Sequence, residues 1–485
     1  MPRTLKNLLF SNIGIRQTVI KNTFWLVLAE VITKLLGLIL IIYVVRILGA
    51  TEYGKFTFAF SFVSLMAIFS DLGIIDISIR EFSRNKENEK KISEFFTLEL
   101  VLCLIALVAT VIVSFFITSD SAIRTMIWIL IVYILSTNLL GVMLSFIKGR
   151  QKMEYEAAIK IVNAAVTTLV AFLVLFYIPS PKNLSFGYMA SSLAVLFFII
   201  IFFNKSFWRI SLKWKKSSLH ILKISWPLSI GFVGLWLYVL INSVMLGYFN
   251  LITENGWYGA ALKVTLIASI PADLIARSFY PMLSGLFFSS KEKFQKGWDY
   301  MAESMIYIAL PMVTGGMVMA PKIIDFLYGP NFMPSILAFQ LLILATSISF
   351  ISYPYSVVLV VADKQKNNFI FIILGALINI VLNTIFIPIY GWYGSIIATI
   401  VASIIVLVAL VIYSKKISPI SFFNKNILKA VLMSGLASFL MYFAISRPIV
   451  SALNVVFVCS IGVLVYAFSL LLLYKVVLRK KIFDI

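Results

Sequence analysis

Apolar tracts of about 20 residues recur along the whole of this chain, each long enough to cross about 30 Å of hydrocarbon as an α-helix. Fourteen are legible, over residues 22–45, 56–78, 95–117, 125–147, 157–178, 186–203, 224–249, 259–282, 302–321, 335–361, 369–388, 394–413, 429–446 and 451–474. A backbone inside hydrocarbon must satisfy its own hydrogen bonds, which leaves helices and closed barrels. Barrel strands are short and alternate apolar with polar residues, whereas these tracts are long and continuously apolar. The expected fold is an all-α integral membrane protein of about 14 spans. Composition agrees, because 61% of the residues are hydrophobic and only 13% charged, far from the balance of a soluble domain.

A net charge of +21 raises the question of nucleic acid, and the placement of the 41 Lys and Arg residues answers it. With the N-terminus in the cytoplasm, the bases gather on that side. They lie in the leader (Arg3, Lys6, Arg16, Lys21), in "REFSRNKENEKK", in "KGRQK" through Lys160 and in "NKSFWRISLKWKKSSLHILK". Others follow in "KEKFQK", "DKQK", "YSKK" to Lys429 and the tail from Lys475 to Lys481. Only Arg46, Lys55, Arg124, Lys182, Lys322 and Arg447 fall in or beside outer loops. That asymmetry is the positive-inside signal, with both termini cytoplasmic. It implies attraction to anionic membrane lipids, and nucleic acid is not expected as a partner.

No cleavable signal peptide is expected, since the first tract is full length and follows a basic segment of about 20 residues. Residues 1–21, with Leu5, Leu8, Leu9, Ile13 and Ile20 among the bases, fit a cytoplasmic or interfacial leader. Cys103 and Cys459 fall within spans and suggest neither a disulfide nor a metal site.

The halves of the chain resemble each other. Tyr53-Gly54 opens the second span and Tyr258-Gly259 the eighth, while Pro179 matches Pro388 and Gly187 matches Gly394, all at a spacing of about 207 residues. The expected organisation is a duplicated six-helix unit. A leader (1–21) precedes an N-lobe (22–204), a basic cytoplasmic linker (205–223), a C-lobe (224–414) and two added helices with the tail (415–485). Six is even, so the copies form parallel repeats about an axis along the membrane normal. Pro227, Pro271, Pro311 and Pro354 fall inside second-lobe spans and none inside a first-lobe span, which makes the second lobe the more bendable, or merely statically kinked.

Catalytic chemistry is missing. The chain has no G-x-x-x-x-G-K-[ST] phosphate loop, its outer loops are short, and its one histidine, His220, sits in the basic linker. An enzyme is not expected, and neither a metal nor a cofactor is implied.

Charge within the spans is the informative exception, because each such residue costs about 2.5–3.5 kcal/mol at a helix centre and usually faces a bundle interior or aqueous cavity. Glu30 and Lys34 are one turn apart in the first span and share a stripe with Thr33 and Gly37. The eighth span carries Lys263, Asp273 and Arg277, which a 3.6-residue period puts within about a quarter-turn. Two readings stand side by side: the acids and bases line a substrate path, or Glu30 neutralises Lys34 and Asp273 neutralises Arg277 as i, i+4 pairs that hold the bundle. Lys263 has no such partner and lies near enough to the outer end to snorkel. Asp71, Asp76 and Arg80 read as boundary residues. Asn379 and Asn383, one turn apart, and Asn242 beside Ser243 either line an ion or sugar path or bond between helices.

The segment "RILGATEYGKFTFAFSFVSLMAIFSDLGIIDISIREFSR", with Arg46, Leu48, Gly49, Tyr53 and Gly54 and then Asp71 to Gly73, resembles the Wzx-type oligosaccharide flippases. These are polysaccharide-biosynthesis membrane proteins of the superfamily that also holds multidrug exporters. "FLYGPNF" (326–332) and "PIYGWYGSIIAT" (388–399) resemble later landmarks of that family, so the likeness covers nearly the whole chain. The resemblance implies two six-helix lobes in a V around a central cavity, with two added helices. It implies translocation of a polyprenyl-diphosphate-linked glycan from the inner to the outer leaflet of a bacterial or archaeal cytoplasmic membrane, serving a surface polymer such as O-antigen or capsule, alongside other polysaccharide-assembly proteins. By that analogy Lys34, Lys263 and Arg277 line the cavity, while Glu30 and Asp273 depart from a purely cationic lining. A coupling ion, sodium or proton, is left open. The competing readings are a cation-coupled multidrug exporter on the same scaffold and a membrane glycan polymerase or ligase.

Overall fold

The computed structural model describes residues 10, 12, 14–84, 91–206, 212, 216–418, 420 and 424–478. Most of the expected leader, the middle of the basic linker and the end of the tail therefore lie outside the described residues. All regular structure among the described residues is helical, and twelve helices are long and apolar enough to cross a membrane. Their surfaces confirm the environment. On the helix Ile92–Ile117, Leu104, Ile105, Val108, Ile112 and Phe116 face outward, whereas Cys103, Ala106, Thr110 and Ser114 are buried. Apolar groups outside and small or polar groups inside are what a hydrocarbon solvent selects. The chain is a multi-pass membrane protein.

Twelve rather than fourteen follows from two local features. The first two expected spans count together as one run, Gln17–Asp71, that bends at Gly49, and only Trp236–Tyr248 of the seventh registers, as a shorter apolar helix.

By packing, the chain divides into units of residues 1–253 and 254–485. In the first unit, α1 (Ile15–Asp71) runs 57 residues and breaks its helical geometry at Gly49, at φ 71° and ψ 176°. A straight helix of that length would reach about 85 Å, far more than the hydrocarbon needs. The bend at Gly49 lets α1 cross twice, and only glycine adopts that backbone without strain. α1 ends at Asp71-Leu72-Gly73, where Leu72 and Gly73 take positive φ (41° and 77°). Asp71 Oδ1 then accepts the Ile75 N–H at 3.0 Å, opening α2 (Ile74–Arg84). The boundary role expected of Asp71 is thus a turn device. α2 buries Ile74, Ile77, Ser78 and Phe82, and Phe82 meets the rings of Phe95 and Phe146 edge-on.

The remaining helices of this unit are α3 (Ile92–Ile117), α4 (Ser121–Gly149), α5 (Met153–Tyr177), α6 (Pro181–Ser206) and α7 (Lys216–Tyr248). α4 is the centre, packed by α1, α2, α3 and α6. Its N-cap, Asp120, accepts from the amides of Ala122 and Ile123 at 2.7 and 3.3 Å. α7 packs on α1 and belongs to this unit, although the sequence repeat aligns it with the start of the second half.

The second unit holds α8 (Ile252–Ala268), α9 (Ile270–Phe287), α10 (Lys291–Tyr328), α11 (Ser335–Val361), α12 (Gln365–Tyr390), α13 (Trp392–Ile417), α14 (Lys425–Ile445), the single turn α15 (Pro448–Ser451) and α16 (Val455–Leu478). Its core surrounds Trp298, fully buried, whose Nε1–H donates to the Pro354 carbonyl at 3.0 Å. The two added helices dock here, α14 on α10 and α16 on α14. The Tyr466 hydroxyl ties them together, 2.8 Å from Ser434 Oγ and 2.7 Å from the Tyr307 carbonyl.

The later sequence landmarks are helix stops. Gly329 in "FLYGPNF" caps α10 at φ 82°, and Gly391 in "PIYGWYG" separates α12 from α13 at φ 60°. Of the positions that the sequence comparison pairs, Pro179 lies between helices and Pro388 inside one. Tyr53 and Tyr258 are both buried. A Cβ on Gly187 would press on Val174 of the preceding helix, and one on Gly394 would run into the backbone of Phe386. The prolines are placed differently from the expectation: Pro271 starts α9 instead of interrupting a helix, and Pro281, Pro321 and Pro388 join Pro311 and Pro354 inside helices.

Candidate functional site

In the first unit, Lys34 Nζ stands 3.3 Å from Glu30 Oε1, and the side chains are 48% and 63% exposed. Thr33 Oγ1 is turned back onto the Ala29 carbonyl at 2.8 Å, so its donor is spent within α1. The polar stripe reduces to the ion pair. Asn242, on α7, is buried at 1% exposure with Ser243 beside it, and both have bonding partners.

In the second unit, Arg277 Nη2 stands 2.9 Å from Asp273 Oδ2, with exposures of 77% and 45%. Lys263 is half-buried and has no carboxylate within salt-bridge distance among the described residues. The three residues do not share one helix. Lys263 is on α8, and Asp273 and Arg277 follow a break at Ser269, ahead of Pro271, on α9. All three lie within the one apolar run Ile252–Phe287. Tyr353 on α11 comes within electrostatic reach of both Asp273 and Arg277, a neighbour that no spacing in the sequence announces.

Asn379 and Asn383 are fully buried on α12. Asn383 Nδ2 donates to Asn379 Oδ1 at 2.9 Å, and Asn379 Nδ2 donates to Thr399 Oγ1 on α13 at 3.3 Å. Thr399 passes the chain on to the Ser395 carbonyl at 2.9 Å. The amides thus form an interhelical ladder.

Several charged residues outside the expected set are more deeply buried than any within it. Lys21 is 1% exposed and meets Glu154 Oε2 at 2.8 Å. Glu156, 0% exposed, is approached by Lys160 at 2.7 Å and Lys148 at 3.2 Å. Asp299 accepts from Gln295 and Asn424, each at 2.7 Å. Glu99, 0% exposed on α3, has no cation acting on it among the described residues. Its signal was legible as the lone acid within the apolar third tract, "TLELVLCL".

The chemistry available is binding. Two exposed acid–base pairs and a half-buried lysine offer donors to an anion and acceptors to a cation, and no group of three or more His, Cys, Asp or Glu suited to a metal occurs among the described residues.

The sequence profile of the family described as polysaccharide biosynthesis protein matches residues 19–287. The probable flippase AglR of Haloferax volcanii is 23% identical over 459 residues, spanning 91% of this chain and 93% of that relative. Among solved structures, the lipid II flippase MurJ in an inward closed conformation is similar at TM-score 0.76 and 17% identity, covering 94% of this chain and 100% of that one. An inward-facing multidrug resistance MATE family transporter of the MOP superfamily gives a TM-score of 0.64 at 14% identity, covering 79% and 95%. The helical fold described above is shared with both.

Proposed function

Because the chain belongs to the polysaccharide biosynthesis protein family, we propose that it is a flippase for polyprenyl-diphosphate-linked oligosaccharide, moving the glycan from the inner to the outer leaflet by alternating access. In this reading the membrane is a bacterial or archaeal cytoplasmic membrane, both termini are cytoplasmic, and the spans number fourteen in two six-helix repeats with two added helices. The relative that bears the name of a probable flippase supports transport across leaflets. The lipid II flippase, by its name, moves lipid II on the same fold.

The observation that carries the proposal is the exposure of Glu30–Lys34 and Asp273–Arg277 on helices whose other exposed residues are largely apolar. An ion pair turned to lipid would forfeit its hydration, so each unit presents this charge to a polar path. A diphosphate offers several anionic acceptors to lysine and arginine and compensates their desolvation. We assign Lys34, Lys263 and Arg277 to the diphosphate, and Glu30 and Asp273 to orienting the neighbouring bases. With the inside negative, outward movement of anionic charge is favoured by about 2.3 kcal/mol per charge per 100 mV, so a coupling ion is not required, though sodium or a proton is compatible.

The second reading is a cation-coupled multidrug exporter, favoured by the acids beside the bases and by the shared fold. It predicts that Glu30→Gln or Asp273→Asn abolishes transport while Lys34→Ala and Lys263→Ala spare it; the flippase reading predicts the reverse weighting. The named relatives are transport proteins, which sets the glycan polymerase or ligase aside. The deciding experiment is reconstitution in liposomes with a leaflet-specific assay of labelled lipid-linked oligosaccharide. Protein-dependent appearance of glycan in the opposite leaflet is expected, and its absence for every glycan the host makes defeats the proposal.

A further inference from the structure

Glu99 takes no part in the path proposed above. It lies two turns into α3, with its side chain completely buried. One carboxylate oxygen, Oε1, is met by the Cys103 thiol one turn on, at 3.9 Å, and the same sulfur is 3.9 Å from the Leu135 carbonyl. The other oxygen, Oε2, is shut away from solvent and has no hydrogen-bond partner. Nearby, Asn138 Nδ2 donates to Ser70 Oγ at 2.6 Å, and Ser70 is in turn within hydrogen-bonding reach of Cys103.

The charges around this carboxyl do not balance. α3 is packed by α1, α2, α4 and α7, and the one charged side chain from these elements that acts on Glu99 electrostatically is another acid, Asp71 on α1. Cys103 is the remaining titratable neighbour. No lysine, arginine or histidine among the described residues acts on it. An ionised Glu99 would be an uncompensated charge shut away from solvent with a second acid within electrostatic reach, which is among the costliest arrangements a protein interior can hold. A metal cation would need several oxygens converging on it, whereas a proton needs only one, and Oε2 is the oxygen left over.

We propose that Glu99 is a proton-binding site inside the first unit, carrying a proton on Oε2 when α1, α3 and α4 are packed as here. Release requires water to reach Oε2. The O–H bond breaks, its electron pair stays on the carboxylate, and the proton leaves as hydronium. Parting of α3 from α1 and α4 is thereby linked to proton release, and repacking to proton uptake. The assignment concerns a proton and no glycan, so it stands apart from the flippase reading.

The test is infrared difference spectroscopy on the full chain in liposomes during a rise in pH. A carbonyl band of a protonated carboxylic acid, sensitive to deuterium exchange, is expected at neutral pH and should bleach as pH rises. In Glu99→Gln that band disappears and one proton fewer is released per chain. Should Glu99→Gln not fold, Glu99→Asp serves, because it keeps a carboxyl at the site on a shorter stem: the band is expected to shift in position or in the pH at which it bleaches. An unchanged band in Glu99→Gln or in Glu99→Asp overturns the proposal, as does its absence from the wild type. A carboxylate signal that follows sodium concentration at fixed pH, and is lost in Glu99→Gln, would assign a metal cation to the site and likewise overturn it.

Discussion

Lys34 Nζ and Glu30 Oε1 lie 3.3 Å apart on successive turns of α1, and about half of each side chain is open to its surroundings. An exposed i, i+4 pair of this kind contributes less than about 1 kcal/mol to stability. If the pair only held the bundle, reversing it would cost little of anything. We expect the double exchange Glu30→Lys with Lys34→Glu to leave the melting temperature close to wild type and to lower glycan translocation at least about tenfold, the equivalent of about 1.4 kcal/mol. Wild-type translocation by the exchanged protein would return the pair to a structural role.

The buried bases behave differently. Lys21 is 1% exposed and bonded to Glu154 at 2.8 Å, so removing it strands a nearly buried carboxylate. Lys21→Met should destabilise the protein by about 3 kcal/mol, and adding Glu154→Gln should recover much of that. Denaturation in detergent, run as a double-mutant cycle, measures both. Simple additivity of the two substitutions is the result that contradicts this account.

Glu156 makes the same argument with two partners. Lys148 and Lys160 are each about one-third exposed, and the acid between them is fully buried. Either lysine alone still neutralises it. The double variant Lys148→Met with Lys160→Met should therefore cost more than the sum of the single ones, and a sum that merely adds up would mean that the two lysines do not substitute for each other at this acid.

For the amide ladder, Asn379→Ala and Thr399→Ala are expected to couple by about 0.6 to 1.7 kcal/mol, the range found for hydrogen bonds between membrane helices. Measuring the cycle with and without sodium separates the two uses of the amides. A wild-type stabilisation by sodium that Asn379→Ala removes would point to an ion path.

Glycines give a matched comparison. A Cβ on Gly394 meets the backbone of Phe386, whereas one on Gly435, inside α14, meets nothing within 4 Å. Gly394→Ala should cost about 1–3 kcal/mol, and Gly435→Ala should be neutral or stabilising by up to about 1 kcal/mol. Equal effects at the two sites would show that the close approach of α12 and α13 is not what Gly394 serves.

Much of this was readable along the chain. Hydropathy alone requires helices, because unpaired backbone groups are intolerable in hydrocarbon, and it located the tracts that became α3 to α6 and α10 to α14. It also found both exposed acid–base pairs, since an i, i+4 spacing is a local property of one helix. It also separated the first two spans, which lie on either side of the bend at Gly49, and it treated Lys263, Asp273 and Arg277 as one regular helix across the turn at Ser269.

The sequence by itself determined that this is an all-helical membrane protein, where most of its apolar helices run, and which of their residues are charged. Only the tertiary structure decided what those charges meet. Glu30 and Glu99 look alike in sequence, each an acid in a greasy run, yet one is exposed beside a lysine and the other is buried against a thiol with a second acid within electrostatic reach. The physical reason is that hydropathy and helical period are properties of a segment, whereas burial and charge compensation depend on the neighbouring helix that packs against it. It is α1 and α4, packed on α3, that bring Asp71 and the Leu135 carbonyl to Glu99 and Cys103, while the second oxygen of Glu99 is left without a partner.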